Sequence, residues 1–392
     1  MKVLVFLTQF HRPNGAERLA VELAEELNKR EGNRADLLSM YTDDYQPGIP
    51  EAREALLARG IPSVEFLRQK VNPNPLSLIP AALRLRKILT EGEYDAVETG
   101  AWGPTTLACW ATSGLRTGHL VGIHDVHTKE RFNKIRHKLW RFSIRANPRT
   151  RFYSISQYTL DHWLEYSGTS PAQNRLVYNA IPKDCFEASP DRDGVREELG
   201  IPKDSLIALF VGRVQMRKGI DTALYALGPI LESENLHLIY VGEALGSEGF
   251  FPGEEGLPDR MKADIETNGW TNRVHFVGRR KDVPRLMASS DVLVHPARIE
   301  GFGLVLAEAL AAGLPVVASD VMGIPEVLRG TDSLMVPPED PERLHESVLQ
   351  VLHRTPKEAE EAASRGRARA GEYRIGKRID SLVEIFREIK DR

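Results

Sequence analysis

Glu300 and Glu308 flank Gly301-Phe302-Gly303 and the apolar start of an Ala/Leu-rich run. Ahead of them, the apolar run 291–296 has strand length and halts at His295-Pro296. Behind them the helical pattern is stopped by Gly313 and Pro315 and gives way to a further apolar stretch, 316–319. Strand, glycine-hinged loop, helix and strand make one βαβ crossover, so the loop is expected at the carboxyl ends of parallel strands, where open α/β sheets bind ligands. Glu300 precedes the hinge, and Glu308 is expected about two turns into the helix. The free N–H groups of a helix start favour an anion. Two carboxylates beside such a start suggest a sugar nucleotide, its diphosphate on the amides. A glycosidase-like acid/base pair is the rival reading.

A second set of chemistry-bearing residues follows another apolar run, 206–211. Gly212-Arg213-Val214-Gln215-Met216-Arg217-Lys218-Gly219 carries two cations where they can reach a phosphate, Arg213 as a planar fork and Lys218 as a mobile point charge. Taken alone, this is a solvated basic loop. In the same half of the chain as Glu300, it reads as an anion site. Near the N-terminus, Asn14-Gly15-Ala16-Glu17 has capping-box spacing, and Gly15 leaves room for a ligand to approach exposed amides. His124-Asp125-Val126-His127 has metal-like spacing but no evident third or fourth ligand, so His124 is expected to hold substrate and no metal is expected. Asp191-Arg192-Asp193 matches a metal–nucleotide pattern only superficially, because it falls in a linker.

These residues need strands and helices in alternation to position them, and the chain supplies them. Strands are expected near 3–7, 36–40, 63–67, 94–99, 120–123, 151–155 and 175–177, with helices near 16–30, 51–58, 77–89 and 104–111. After a Pro- and acid-rich break at 181–193 the alternation restarts, with strands near 206–211, 236–241, 274–277, 292–294, 316–318 and 334–336. The expected fold is α/β: two Rossmann-like, doubly wound domains facing a cleft. The expected divisions are 1–180, 181–373 and a last amphipathic helix, 374–392, packing back on the first domain.

At 392 residues the chain has length for two or three cores, and its 42% hydrophobic and 27% charged composition is ordinary for a globular protein. A net charge of −3 argues against dedicated nucleic-acid binding. Two cysteines, Cys109 and Cys185, are too few for a disulfide framework or a zinc cluster. The short apolar start reads as a buried strand and not a signal peptide, and no apolar run reaches membrane-spanning length, so the expected location is the cytoplasm. One segment adds a second reading. Positions 129–151 hold nine Lys/Arg against Glu130, with Phe132, Ile135, Leu139 and Phe142 at helical spacing and Trp140 alongside. It is either a helix with its apolar face on the domain, or a peripheral contact with an anionic membrane surface at the inner face.

Taken together in this order, the motifs resemble those of the retaining GT-B glycosyltransferases of family 4, the glycosyl transferases group 1. Glu300 and Glu308 match that family's E-x7-E motif, Arg213 and Lys218 its donor-phosphate pair, Gly15-Ala16-Glu17 its N-terminal glycine loop, and Tyr178-Asn179-Ala180-Ile181 its entry to the interdomain linker. His124-Asp125 falls where the family keeps a histidine beside the reacting sugar. Departures are Asn14, where many members have a second glycine, Gly242-Glu243 in place of a glycine pair, and a long Gly-rich 243–257. The resemblance implies a nucleotide-diphosphate sugar as donor substrate, with no metal or other cofactor, and a sugar, glycan or lipid-linked acceptor. Arg213 and Lys218 would neutralise the leaving diphosphate, helped by the N–H groups of Gly303 and Leu304. Glu308 would bind the ribose, Glu300 the sugar hydroxyls, and His124 the sugar from the opposite wall. Alternatives are a phosphorylase or glycoside synthase on the same scaffold, or a catalytically silent sugar-nucleotide sensor.

Overall fold

The computed structural model describes residues 1–10, 15–40, 49–62, 64–67, 78–126, 134–147, 149–243 and 256–391. Within them the chain divides into two compact units, Met1–Asn179 with Gly376–Arg392, and Ala180–Ile375.

The first unit is built on a seven-stranded sheet: β1 Lys2–Leu7, β2 Arg34–Ser39, β3 Val64–Phe66, β4 Ala96–Thr99, β5 Gly118–Ile123, β6 Thr150–Ser154 and β7 Asn174–Leu176. The second has six: β8 Leu206–Val211, β9 Leu236–Val241, β10 Val274–Phe276, β11 Val292–His295, β12 Val316–Ser319 and β13 Leu334–Val336. The orders are β3-β2-β1-β4-β5-β6-β7 and β10-β9-β8-β11-β12-β13, and every strand pair is parallel. Parallel strands are covered by helices on both faces, which is why Val3-Leu4-Val5-Phe6-Leu7 and Ile207-Ala208-Leu209-Phe210 are unbroken apolar runs and fully buried. In each sheet the chain enters at the centre, builds to one side, then returns to the other. The switch points lie between β1 and β4 and between β8 and β11, and these are where a doubly wound sheet opens a ligand crevice.

The last helix, Ile375–Lys390, buries Ile379, Leu382, Val383, Phe386 and Ile389. It is tied to the rest of the first unit by Arg30–Asp380 at 2.8 Å and Arg175–Glu388 at 3.2 Å. Burial of each large apolar side chain contributes about 2 kcal/mol, so the apolar stripe outweighs these exposed ion pairs.

Several expectations need correction. The 181–193 stretch is not all linker: it holds the short helix Asp184–Glu187, and Asp191 caps the helix Arg192–Leu199 by accepting from the Gly194 amide. Asp191 also pairs with Arg285, which accounts for the Asp-Arg-Asp match without a metal. The basic segment folds as the helix Lys134–Ala146, followed directly by β6. Its anchors are Trp140, Ser143 and Ile144, all buried, whereas Phe142 is 70% exposed. The expected apolar face therefore does not all pack on the domain. Residues 127–133, and with them His127 and Phe132, lie outside the described residues. Among the described residues, no helix is long and apolar enough to cross a membrane.

Candidate active site

Two loops of the second unit converge at its switch point. The loop after β8 makes a short 3-10 turn, Met216–Lys218, then turns at Gly219 into the helix Ile220–Leu227. Gly219 has φ +68°, and a Cβ there would stand 1.8 Å from the Pro296 carbonyl oxygen, so only glycine lets the β8 and β11 loops come this close. Arg298 straps them together: its amide donates to Arg217 O, its guanidinium to Met216 O and to both carboxylate oxygens of Asp221, and its Nε to Glu339. A planar guanidinium holding four acceptors across three segments fixes the loops relative to each other.

In that frame Lys218 Nζ lies 2.5 Å from Glu300 Oε2, and His295 Nε2, at the end of β11, lies 3.2 Å from the same oxygen. Burial pushes the Glu300 carboxyl up, but the Lys218 ammonium and the His295 hydrogen bond outweigh it and hold the group well below the usual carboxylate range. Burial lowers the His295 pKa against the pull of Glu300, so the imidazole is neutral and donates through Nε2. The Glu300 carbonyl accepts from Gly323 N at 3.1 Å, fixing the main chain as well. Phe302 is buried edge-on against Tyr373, with ring centroids 5.2 Å apart.

Gly303, at φ +87°, is the N-cap of the helix Leu304–Ala312, with no side-chain cap. Its first N–H groups are therefore not satisfied by a capping side chain. Glu308 is half-buried and is the fifth residue of this helix, little more than one turn in and not two. Arg213 is exposed on the β8 loop. The structure thus joins Lys218 directly to Glu300, and sets Arg213 on the Lys218 loop and Glu308 on the helix that follows Glu300. A fixed carboxylate, two cations and a helix start together can hold hydroxyls and a diphosphate.

The remaining expected residues belong to the first unit. Gly15 opens the helix Gly15–Asn28 and is exposed, while Glu17 is buried; Asn14, the expected cap, lies outside the described residues. His124 follows β5, with Nε2 3.2 Å from the Tyr153 hydroxyl oxygen and the two rings edge-on. Tyr153 donates to Glu98 Oε1 at 2.8 Å, and Arg378 from the last helix donates to the Tyr153 oxygen at 3.2 Å. Burial, with Arg378 nearby, lowers the His124 pKa to about 3. Burial raises Glu98 to about 7 against the opposing effects of Tyr153 and Arg378. Asp125 shapes its own loop by accepting from the Val126 amide. Among the described residues, no group of three or more His, Cys, Asp or Glu side chains is placed to hold a metal.

Sequence reasoning missed His295, Arg298, Tyr153, Glu98 and Arg378. Only His295 left a usable trace: it sits at the strand end, five residues before Glu300.

The two doubly wound units have the fold of the GT-B glycosyltransferases. Residues 13–184 match the family model described as Glycosyltransferase Family 4, and residues 191–369 match that of Glycosyl transferases group 1. The chain belongs to this group 1 family and is a glycosyltransferase. It is 27% identical to a D-inositol 3-phosphate glycosyltransferase of Saccharomonospora viridis, over 94% of this chain and 87% of that one. It is 33% identical to the lipopolysaccharide glucosyltransferase WaaG of Escherichia coli, over 53% and 54%. The crystal structure of Anabaena Alr3699/HepE in complex with UDP-glucose shares its fold, with a TM-score of 0.80 and 24% identity over 97% of this chain and 98% of that one.

Proposed function

We propose that the enzyme is a retaining, metal-independent transferase. It moves a sugar from a nucleoside-diphosphate donor to a hydroxyl of a sugar, glycan or lipid-linked acceptor. The observation that carries this reading is the Lys218–Glu300 contact in loops strapped by Arg298. It keeps a cation and an ionised carboxylate adjacent, one suited to phosphate and the other to sugar hydroxyls. Arg213 and Lys218 neutralise charge on the departing diphosphate, Glu300 and His124 contact the sugar, Glu308 the ribose, and the amides at Gly303 and Leu304 the phosphates.

The bond from the anomeric carbon to the phosphate oxygen breaks, and the acceptor oxygen bonds to that carbon on the same face. The acceptor's proton goes to the departing phosphate oxygen. A covalent route through Glu300 is the rival. Its carboxylate is already engaged by Lys218 and His295 and is strongly acidic, which favours the same-face route.

The test is turnover on a panel of UDP-, GDP- and ADP-sugars with EDTA present, beginning with UDP-glucose because HepE binds it. Lys218→Ala or Arg213→Ala is expected to cut transfer by about 10²–10³-fold with the fold intact. Near-normal rates in both variants would sink the reading. Release of sugar phosphate in place of nucleoside diphosphate would point to the phosphorylase alternative.

We also propose peripheral contact with anionic lipid through the helix Lys134–Ala146, supported by Phe142 standing exposed among Lys138, Arg141 and Arg145. Salt-sensitive co-sedimentation with phosphatidylglycerol vesicles, weakened in Phe142→Ser, is expected. Equal sedimentation with phosphatidylcholine vesicles would refute it.

A further inference from the structure

Glu98 on β4 and Tyr153 on β6 are each only 1% exposed, with β5 between their strands. Burying a carboxyl and a phenol is costly unless both find partners. Here the partners converge on one atom, the Tyr153 hydroxyl oxygen, which meets Glu98 Oε1, Arg378 Nη2 and His124 Nε2.

That oxygen carries a single proton, so its three bonds are not independent. A guanidinium can only donate, which assigns Arg378 to an oxygen lone pair. With Glu98 ionised, the shortest of the three bonds runs to a carboxylate oxygen, so the phenol proton goes to Glu98. The remaining partner, His124 Nε2, must then be the donor. An imidazole held neutral has one N–H; with it on Nε2, the other ring nitrogen, Nδ1, is a bare acceptor. His124 Nδ1 is buried and has no hydrogen-bond partner among the described residues.

The floor of the sheet is shaped to allow this contact. A Cβ on Gly122 would lie 2.5 Å from both His124 Nε2 and the Tyr153 hydroxyl, and one on Gly100 would lie 3.0 Å from His124 Cδ2. Glycine at these two strand ends leaves the space in which the imidazole meets the phenol.

We infer that Tyr153 is a positioning residue that holds His124 as its Nε2–H tautomer, so that Nδ1 accepts a hydrogen bond from a neutral hydroxyl of the transferred sugar. The same bare nitrogen disfavours a carboxylate or phosphate oxygen at that position. Glu98 orients the phenol proton, and Arg378 brings the last helix into the same relay. The inference rests on the reading of His124 as a sugar-contacting residue. Its first measurement does not, because the tautomer is set in the ligand-free protein.

The experiment is nitrogen-15 NMR of the full-length, histidine-labelled protein at pH 8, where Glu98 is ionised, with a His124→Asn spectrum assigning the ring. The wild type is expected to show a protonated Nε2 and a bare Nδ1, and the turned-over donor should move the Nδ1 resonance while Nε2 keeps its proton. Tyr153→Phe is expected to lose the tautomer preference. It should also lower kcat/KM for the donor by about tenfold, as a misaligned contact does, while leaving nucleoside-diphosphate affinity unchanged. Gly122→Ala, which forces the two groups apart while keeping both, should have the same effect if Tyr153→Phe does not fold. A wild-type Nδ1–H tautomer, or a Tyr153→Phe protein with unchanged tautomer and turnover, would overturn the inference. Absence of turnover by the wild type on every donor would instead count against the donor reading, with the tautomer still measured.

Discussion

Glu300 and Glu98 are both carboxylates beside the switch point of a parallel sheet, yet their surroundings drive them to opposite states. Burial pushes each upward. At Glu300 an ammonium in direct contact and a histidine N–H on the same oxygen reverse that push, and the carboxyl stays ionised far below neutrality. At Glu98 the nearby cation, Arg378, donates to Tyr153 and not to the carboxyl, which rises to about 7. The lesson is that a cation in contact outweighs desolvation, whereas one acting through an intervening phenol does not. The second unit thus holds a charged clamp suited to a diphosphate sugar, and the first holds a nearly neutral network suited to keeping a proton in place.

The contrast can be broken most forcefully at His295. His295→Leu removes the donor that fixes Glu300 while leaving Lys218 in contact. Transfer is expected to fall by about 10–100-fold with the unit still folded, and His295→Gln, which retains an N–H donor, should recover part of it. Unchanged kcat and KM in the leucine variant would show that Lys218 alone positions the carboxylate.

A smaller effect sharpens the other side. Glu98 has a folded pKa above its unfolded one, so the folded form binds its proton more tightly. Below about pH 4.5 the group contributes nothing, between about 4.5 and 7 stability drains away as pH rises, and above 7 the whole penalty is present. Glu98→Gln lacks that titration. Its unfolding midpoint relative to wild type should therefore rise between pH 5 and pH 8, by about 2–4 °C for each kcal/mol relieved. A constant gap across that range would mean that Glu98 is already ionised and paired. Glu300 runs the other way: its depressed pKa contributes stability above about pH 4.5, lost as pH falls toward the folded value.

Much of this architecture was legible in the chain. Buried parallel strands leave continuous apolar runs, and Glu300, Lys218 and Arg213 stand on loops whose glycines mark their hinges. The helices Pro341–Leu352 and Pro356–Ala370 were not anticipated. The second has little apolar character, although Thr355 and Glu358 form a capping box whose Thr-x-x-Glu spacing was there to be read. Tyr153, Glu98 and Arg378 gave no signal because each is a lone polar residue in a different element. Arg378 meets Tyr153 from 225 positions away, and only the folded sheet and last helix bring them together. Phe142 misled because helical spacing identifies a shared face without saying which way that face points.

The central claim, that protein cations and not a metal meet the donor's diphosphate, is tested most directly by titrating UDP, GDP and ADP into wild type and Lys218→Ala in EDTA. One nucleotide should stabilise the wild type by mass action, and that stabilisation should be lost in the variant when measured against its own ligand-free unfolding midpoint, which falls because Glu300 loses its contact cation. Stabilisation that requires added magnesium, or that is equal in the two proteins, would contradict the account.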